Sequence, residues 1–508
     1  MRRSIIFGCV SCLAAVVGCS PSSGGAPDAG GQEASSTFDA GGGGSEAGGG
    51  GSEAGADASA EASSGRDGST NGGADAAMET GSGDSAGCTL PSTITASMTL
   101  DTSCNPWIVP SGGTTVAGTG SPVLTIDSGV TVAFDPGGYL AIGDGGAGGL
   151  HAVGTSGAHI TFTASTAGPQ AGNWNAVEIM DNTLAGSTIA YADFDYGAGT
   201  SGATGSYQGP PGALVVDSST TTFEIALHDL TFKNNQGNGL VMYGTDVGFA
   251  AGSGNLSVSD WGTGYHPFVV AANVIGNSPG GLSTGLPTTL TAPATSNGSP
   301  AVVDVVGGDG QGGGTNGQAV VQVTQTWPAI GLPYLVDGDR EGSGSGMQIE
   351  GTGTTSATLT IAAPNTLQFL AQGSLQVDPF GSGLANLVAT GNITFTAASA
   401  SPSPGIWYGI SFLLQNGGLP NSTLSGVTID WAGGFYSSND SSGNTFYGPV
   451  WLNGPVLGSV AGPTITGCTF LNVPTNPQNC AIVATGVSAS SLSSYSSNTY
   501  GGTKACGT

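Results

Sequence analysis

The sequence predicts an all-β fold, a parallel β-solenoid built from two related modules, and three observations lead to this prediction. The 508 residues include 93 glycines and only 8% charged residues, so Lys, Arg and Glu, which helices favour, are scarce. Short segments that alternate apolar and polar residues follow one another, separated by Gly-rich turns, as half-buried strands do. The third observation is a long internal repeat.

The repeat is clearest in two stretches of equal length. HITFTASTAGPQAGNW covers residues 159–174, and NITFTAASASPSPGIW covers residues 392–407, which is 233 positions later. Related pairs continue on both sides at nearly the same offset, so the chain after residue 88 contains two copies of one unit. Apolar positions of the two copies form the predicted core, namely Ile126, Phe134, Ile160 and Phe162 with their partners Ile361, Phe369, Ile393 and Phe395.

The short strands favour a solenoid over other all-β folds. No helical segment separates them, which excludes βαβ units and leaves a sandwich, a barrel or a solenoid. Every strand carries inward Ile, Val, Leu or Phe, as stacked coils require. A solenoid also lengthens coil by coil, which suits so long a chain.

Particular segments add a resemblance to a known family. The first copy contains LTIDSGVTVAF, GLHAVGTSGAHITFT and NWNAVEI, and the second contains LTIAAPNTLQF, LANLVATGNITFT and IWYGI. These segments resemble right-handed parallel β-helix repeat proteins with the pectate-lyase-like fold. The resemblance implies a right-handed, single-stranded solenoid. We predict module one at about 88–256, a connecting region at about 257–340 and module two at about 341–508.

The N-terminus has the features of an export signal. Arg2 and Arg3 precede an apolar run, residues 5–17, that is shorter than the roughly 20 residues a membrane span needs. The run ends in Val-Val-Gly-Cys, which resembles the lipobox of bacterial lipoproteins. That resemblance implies a signal peptide at 1–18 and lipidation of Cys19. Because Ser20 stands where an Asp would indicate inner-membrane retention, the expected destination is the outer membrane, facing the periplasm or the surface.

Residues 19–87 are predicted to form a disordered tether. They are rich in Gly, Ser and Ala and contain almost no large apolar side chains, so no core offsets the entropy of ordering them. Eleven acidic residues against Arg66 make residues 20–87 acidic. The tether connects the lipid anchor to the β-helix.

The charge balance excludes some partners. The formal net charge is −27, and the part after residue 87 contributes −19, from 22 acidic residues against three basic ones. Such a surface repels nucleic acid and anionic lipid headgroups. The same charge could favour divalent cations or simply keep the protein soluble. The expected partners are the membrane, reached through the lipid anchor, and polysaccharide; the sequence indicates no clear protein partner.

Carboxylates are the candidate catalytic residues. In YADFDY, Asp193 and Asp195 share one strand face about 7 Å apart, a separation that suits inverting glycoside hydrolysis. Arg340 is the one candidate base for a lyase, and calcium is the cofactor that such an enzyme would use. The signature motifs of polygalacturonases are missing from the sequence. We therefore expect non-catalytic binding or surface presentation, with a polysaccharide lyase or glycoside hydrolase acting on acidic polysaccharide as the alternative.

Two further residues are candidates for sugar binding. Trp431 follows Asp430 in TIDW, and an exposed indole stacks on sugar rings. Trp174 and Trp407, which correspond in the repeat, are interpreted as scaffold. The four histidines have no metal-ligand spacing, so we predict no metal site and no cofactor, and we interpret the histidines as structural.

The cysteines predict two disulfides. Cys468 corresponds to Leu230 in the repeat and shares a strand face with Phe470, so it is predicted to be a buried free thiol. The remaining cysteines of an exported chain are expected to pair. We predict one bond at each end of the solenoid, Cys88–Cys104 and Cys480–Cys506.

Overall fold

The structure is a computed structural model. It describes residues 88–508 except 200–208, 219, 245, 277–283, 308–318, 339–345, 415–418, 420, 435–436, 440–444, 455–461, 475–479, 486–494, 501–503 and 508. The predicted signal peptide, Cys19, the tether and Arg340 lie outside these residues. Within them, no helix has the length and apolarity needed to cross a bilayer.

The described residues form strands and turns. The strands up to residue 306 are β1 (Cys88–Thr89), β2 (Thr93–Ile94), β3 (Met98–Leu100), β4 (Trp107–Val109), β5 (Thr114–Val116), β6 (Val123–Ile126), β7 (Thr131–Phe134), β8 (Leu140–Ile142), β9 (Gly149–Val153), β10 (Ile160–Ala164), β11 (Val177–Ile179), β12 (Thr188–Asp195), β13 (Gly212–Val216), β14 (Phe223–Lys233), β15 (Asn238–Met242), β16 (Val247–Phe249), β17 (Gly254–Val258), β18 (Phe268–Ala271), β19 (Leu290–Thr291), β20 (Thr295–Ser296), β21 (Ser299–Pro300) and β22 (Val303–Val306).

The later strands are β23 (Ala319–Val321), β24 (Gln325–Trp327), β25 (Tyr334–Gly338), β26 (Gly346–Ile349), β27 (Ala357–Ile361), β28 (Asn365–Phe369), β29 (Ser374–Val377), β30 (Ala385–Thr390), β31 (Ile393–Ala397), β32 (Gly409–Leu413), β33 (Thr423–Ser425), β34 (Thr428–Asp430), β35 (Ser437–Asn439), β36 (Thr445–Tyr447), β37 (Val450–Asn453), β38 (Thr464–Thr466), β39 (Thr469–Leu471), β40 (Cys480–Ala484), β41 (Thr499–Tyr500) and β42 (Lys504–Gly507).

The strands stack as a parallel solenoid, which confirms the predicted all-β fold. Strands of the first copy form a 12-stranded sheet, and strands of the second copy form a seven-stranded and a five-stranded sheet. A 14-stranded sheet, from β2 to β41, runs through both copies. Among the described strands, only the hairpins β20–β21 and β35–β36 pair antiparallel. Each turn of the chain therefore returns to the same sheet one coil further on.

The core runs inside the coils and contains all eight residues predicted for it. Each of the eight is at most 2% exposed. In both copies a Phe stacks on the Trp of the Gly-x-Trp segment. The ring centroids of Phe134 and Trp174 lie 4.3 Å apart, and those of Phe369 and Trp407 also lie 4.3 Å apart. The repeat in the sequence is therefore a repeat of core packing.

Both predicted disulfides are present. The Cα atoms of Cys88 and Cys104 are 5.8 Å apart, as are those of Cys480 and Cys506. Cys468 is free and buried, and burial is the main cause that raises the pKa of its thiol. Two disulfides indicate a non-reducing, extracytoplasmic location.

The two copies contribute corresponding strands to different sheets of the solenoid. Strand β8 lies in the 14-stranded sheet, but its counterpart β29 lies in the seven-stranded sheet. The 14-stranded sheet instead receives β28, the counterpart of β7. Each of these strands of the second copy therefore lies on a different face of the solenoid from its counterpart in the first copy, as if the second copy were rotated about the solenoid axis by one face. This is possible because inward apolar side chains of any coil can stack on those of the next, whichever face they belong to.

Candidate functional site

Asp195 and Asp430 make the same hydrogen bonds in the two copies. The indole nitrogen of Trp174 donates a 2.8 Å hydrogen bond to the carbonyl of Asp195, and Trp407 does the same to Asp430. The Asp195 carboxylate accepts a bond of 2.8 Å from Asn234. An asparagine at the corresponding place, Asn472, donates a bond of the same length to Asp430. These bonds hold a coil corner, so both carboxylates have a scaffold role.

Trp431 belongs to the same corner. It has a positive φ of 62°, and its counterpart Tyr196 has 64°. Its side chain is half-buried and packs against the core. The contacts of Trp431 and Asp430 are with other residues of the corner and the core. The sugar-binding role predicted for both residues stays a prediction.

Asp193 has different surroundings from Asp195. Its carboxylate contacts Nδ1 of His159 at 3.3 Å, whereas the carboxylate of Asp195 contacts Nζ of Lys233 at 3.5 Å. The two aspartates share a strand, as predicted, but only Asp195 is tied into a corner. A hydrolase would need both carboxylates for the reaction.

Asp193 is part of a cluster that we call the first-copy strip, formed by His159, Tyr191, Asp193, His228 and Asp229. The strip crosses three successive coils, since β10 pairs with β12 and β12 with β14. The ring of Tyr191 lies between the two imidazoles, with centroid distances of 5.9 Å to His159 and 5.5 Å to His228. Nδ1 of His228 lies 2.9 Å from the Asp229 carboxylate. Each imidazole is therefore paired with its own carboxylate.

The Asp229 carboxylate is held in its ionised form. The hydrogen bond with His228 is the largest cause that lowers its pKa, and Asn255 and Tyr191 contribute further hydrogen bonds. The amide of Asn255 donates at 3.0 Å. The side chain of Asp229 is 29% exposed, so the carboxylate remains open to a ligand.

The second copy carries none of the strip residues. By the repeat alignment, His159 corresponds to Asn392, Tyr191 to Gly426, Asp193 to Thr428, His228 to Thr466 and Asp229 to Gly467. The scaffold residues of the corner, in contrast, are retained as Trp407, Asp430 and Asn472. The strip lies around the bend at Tyr191 and Asp229, at the other end of the strand segment that leads to this corner, and its residues differ between the copies.

Two strip residues occupy a backbone conformation that glycine adopts most easily. Tyr191 has φ 49° and Asp229 has φ 55°, and their counterparts Gly426 and Gly467 have 67° and 62°. A left-handed conformation costs a residue with a Cβ roughly 1–2 kcal/mol. Asp tolerates it better than Tyr. Tyr191 is therefore kept at a position where the fold favours Gly.

A second surface lies on the seven-stranded sheet of the second copy. Gln348, Gln376, Ser411 and Trp451 are aligned in register on β26, β29, β32 and β37. They alternate with buried residues, point outward and are partly exposed. We call these four residues the amide–indole row. The amide of Gln348 donates to Gln376 at 3.3 Å, and the indole of Trp451 donates to Oγ1 of Thr485 at 3.0 Å.

The turn that follows β29 presents an exposed aromatic ring. Phe380 is 70% exposed, the most exposed of the large apolar side chains among the described residues. The turn is held from inside by Asp378, which is 1% exposed. Its carboxylate accepts the backbone N–H groups of Ser382 at 2.9 Å and Gly383 at 2.6 Å. The ring is therefore displayed on a fixed turn.

Comparison with known proteins gives no identification. Neither the protein-family models, nor the curated proteins, nor the solved structures contain a match to this chain. Among the described residues, no group of three or more His, Cys, Asp or Glu is arranged to hold a metal ion.

Sequence reasoning found Asp193 but missed the other residues of both surfaces. It interpreted His159 and His228 as structural because each aligns with a polar turn or strand residue. The amide–indole row has no motif, since its successive members are 28, 35 and 40 residues apart in the chain. The coil length that brings them into register is known only from the structure.

Proposed function

We propose that the chain is a lipid-anchored protein of the bacterial cell envelope whose β-helix binds an uncharged polysaccharide without catalysing a reaction on it. The observation that carries this proposal is the amide–indole row. Gln348, Gln376, Ser411 and Trp451 repeat once per coil along the solenoid, and none of them carries a charge.

The row suits a polyhydroxyl chain lying along the solenoid. Successive coils are about 4.8 Å apart, so a donor or acceptor recurs at a spacing close to the size of a sugar ring. The amides and the Ser411 hydroxyl can exchange hydrogen bonds with sugar hydroxyls. The indole of Trp451 and the exposed ring of Phe380 offer apolar faces for stacking.

The charge of the protein favours an uncharged ligand over a uronate polymer. The part after residue 87 has a net charge of −19 with only three basic residues. An acidic polysaccharide would be repelled at long range, while a neutral one would not. This argues against the alternative of an enzyme that acts on acidic polysaccharide, as does the scaffold role of Asp195.

The lipid anchor is supported by the sequence and by the location that the disulfides indicate. Cys19 follows Val-Val-Gly after a short apolar run, and the chain between it and the solenoid is rich in Gly and Ser. As a flexible linker, those 68 residues (20–87) would have a root-mean-square reach of about 45 Å. The binding face would then search the space near the membrane surface.

The experiment is a binding assay of the purified chain against neutral glucans, N-acetylated glucosamine polymers and polygalacturonate. We expect binding to a neutral polymer, with Trp451→Ala weakening it at least tenfold. Leu471→Ala, which removes an exposed apolar side chain from a different sheet, is the matched control and should bind normally. Binding to polygalacturonate alone, or release of reducing sugar by the wild type, would contradict the proposal.

Anchoring is tested separately. Cys19→Ala should remain unlipidated and leave the membrane fraction when the protein is expressed in a bacterium. A variant that is still recovered with the membranes would show that another anchor exists.

A further inference from the structure

We propose that the first-copy strip is a second binding site, specific for a glycan that carries protonated amines. The proposal does not depend on the amide–indole row, which lies on another sheet and has no charged member. It starts from five side chains that the coils bring together, His159, Tyr191, Asp193, His228 and Asp229.

The internal repeat shows that a bend of this type forms without these side chains. The second copy makes the corresponding bend with Asn392, Gly426, Thr428, Thr466 and Gly467 in their places. The first copy nevertheless keeps Tyr191 at φ 49°, where the second copy has glycine. A bend of this type therefore forms without an aromatic side chain at this place.

The charge of the strip selects a cation. With neutral imidazoles, Asp193 and Asp229 give it a charge of −2. Lys233, the basic residue of this surface, contacts Asp195 instead. The side chains of Asp193 and Asp229 are 26% and 29% exposed, so each carboxylate is accessible to an ammonium group from solvent.

The three rings add a preference for a sugar over a simple polyamine. Tyr191 and the two histidines form a row of rings along the solenoid, with carboxylates at both histidines. Aromatic faces pack against sugar rings and attract nearby cations. An amino sugar supplies a ring for the aromatic row and an ammonium group for a carboxylate, repeated along the polymer.

The test compares three soluble probes by calorimetry at neutral pH on the full chain carrying Trp451→Ala, so that the amide–indole row does not contribute: an oligomer of β-linked glucosamine, the same oligomer N-acetylated, and spermidine. We expect the glucosamine oligomer to bind at least tenfold more tightly than the other two. Equal binding of spermidine would show attraction by charge alone and overturn the glycan specificity. Equal binding of the N-acetylated oligomer would overturn the requirement for an amine.

The variant design uses the second copy as its template. Replacing the five strip residues by their counterparts (H159N, Y191G, D193T, H228T and D229G) should abolish glucosamine binding and leave the unfolding midpoint nearly unchanged. The charge-matched control D127N/D260N removes two carboxylates elsewhere and should bind as the wild type does. Binding that survives the five-residue change, or is lost equally in the control, overturns the proposal. Trp451→Ala should not affect this probe, which separates failure here from failure of the neutral-polysaccharide proposal.

Discussion

The two copies of the unit have the same interior and different exteriors. Inside, Trp174 and Trp407 make the same stack and the same hydrogen bond. Outside, the first copy carries two imidazole–carboxylate pairs around Tyr191, while the second carries glycine, threonine and asparagine at those places. The amide–indole row occurs on the second copy instead.

This difference separates what folding requires from what the surface does. Residues common to both copies satisfy the core and the corner, so a functional argument from them is weak. Asp195 is the example, because its carboxylate and that of its counterpart Asp430 accept the same hydrogen bond from an asparagine, while the catalytic role predicted for Asp195 stays a prediction. Residues present in one copy only are the better candidates for binding.

The largest expected effect tests whether the interiors are equivalent. Trp174→Ala and Trp407→Ala each remove a fully buried ring and should each lower the free energy of unfolding by about 3–5 kcal/mol. Urea unfolding followed by circular dichroism measures both. A difference of more than about 2 kcal/mol between the variants would break the equivalence of the two copies.

The two ends of the solenoid provide the second test. Replacing both cysteines by Ser in the first pair, Cys88 and Cys104, or in the second, Cys480 and Cys506, should cost about 3 kcal/mol in each case. Thermal unfolding of the two double variants gives the comparison. Mass spectrometry of the non-reduced wild type should find a free thiol on Cys468, and a disulfide to Cys468 would contradict the buried position assigned to it.

An exchange between Tyr191 and its counterpart Gly426 sharpens the comparison. Gly426→Tyr should destabilise the chain by roughly 1–2 kcal/mol, because tyrosine must adopt the left-handed conformation there. Tyr191→Gly should be close to neutral, since relief of that conformation offsets the loss of ring contacts. A large loss of stability for Tyr191→Gly would mean that the strip supports the fold after all.

The smallest effect is the pH dependence contributed by Asp229. Its pKa in the folded protein is lowered from 3.8, chiefly by the hydrogen bond with His228, so the unfolded chain binds a proton more readily. The free energy of unfolding that this carboxylate contributes is therefore fully present above pH 3.8, and it is lost as the pH falls through the lowered pKa of the folded protein. Asp229→Asn should be less stable than the wild type at neutral pH, and the gap should close in acid. A stability difference between the two proteins that stays the same at low pH would exclude a contribution from the lowered pKa of Asp229.

Much of the fold could be predicted because its signals are local or repeated. The period-two alternation placed Ile160 and Phe162 in the core, and the repeat placed Cys468 beside Phe470. The rotation of the second copy by one face could not be predicted, because it depends on how many strands the connecting region contributes. The partners of outward residues such as His159 were equally hidden, since they depend on the length of each coil rather than on the residue itself.

The rotation of the second copy has a consequence for how such a chain diversifies. A duplicated unit need not be inserted as a whole number of coils, because β28 continues the 14-stranded sheet although its counterpart β7 belongs to another sheet. Gain or loss of a single strand would turn every following coil to a new side and leave its interior intact. One heritable insertion could thus move an entire set of exposed residues from one side of the rod to another without altering any of them.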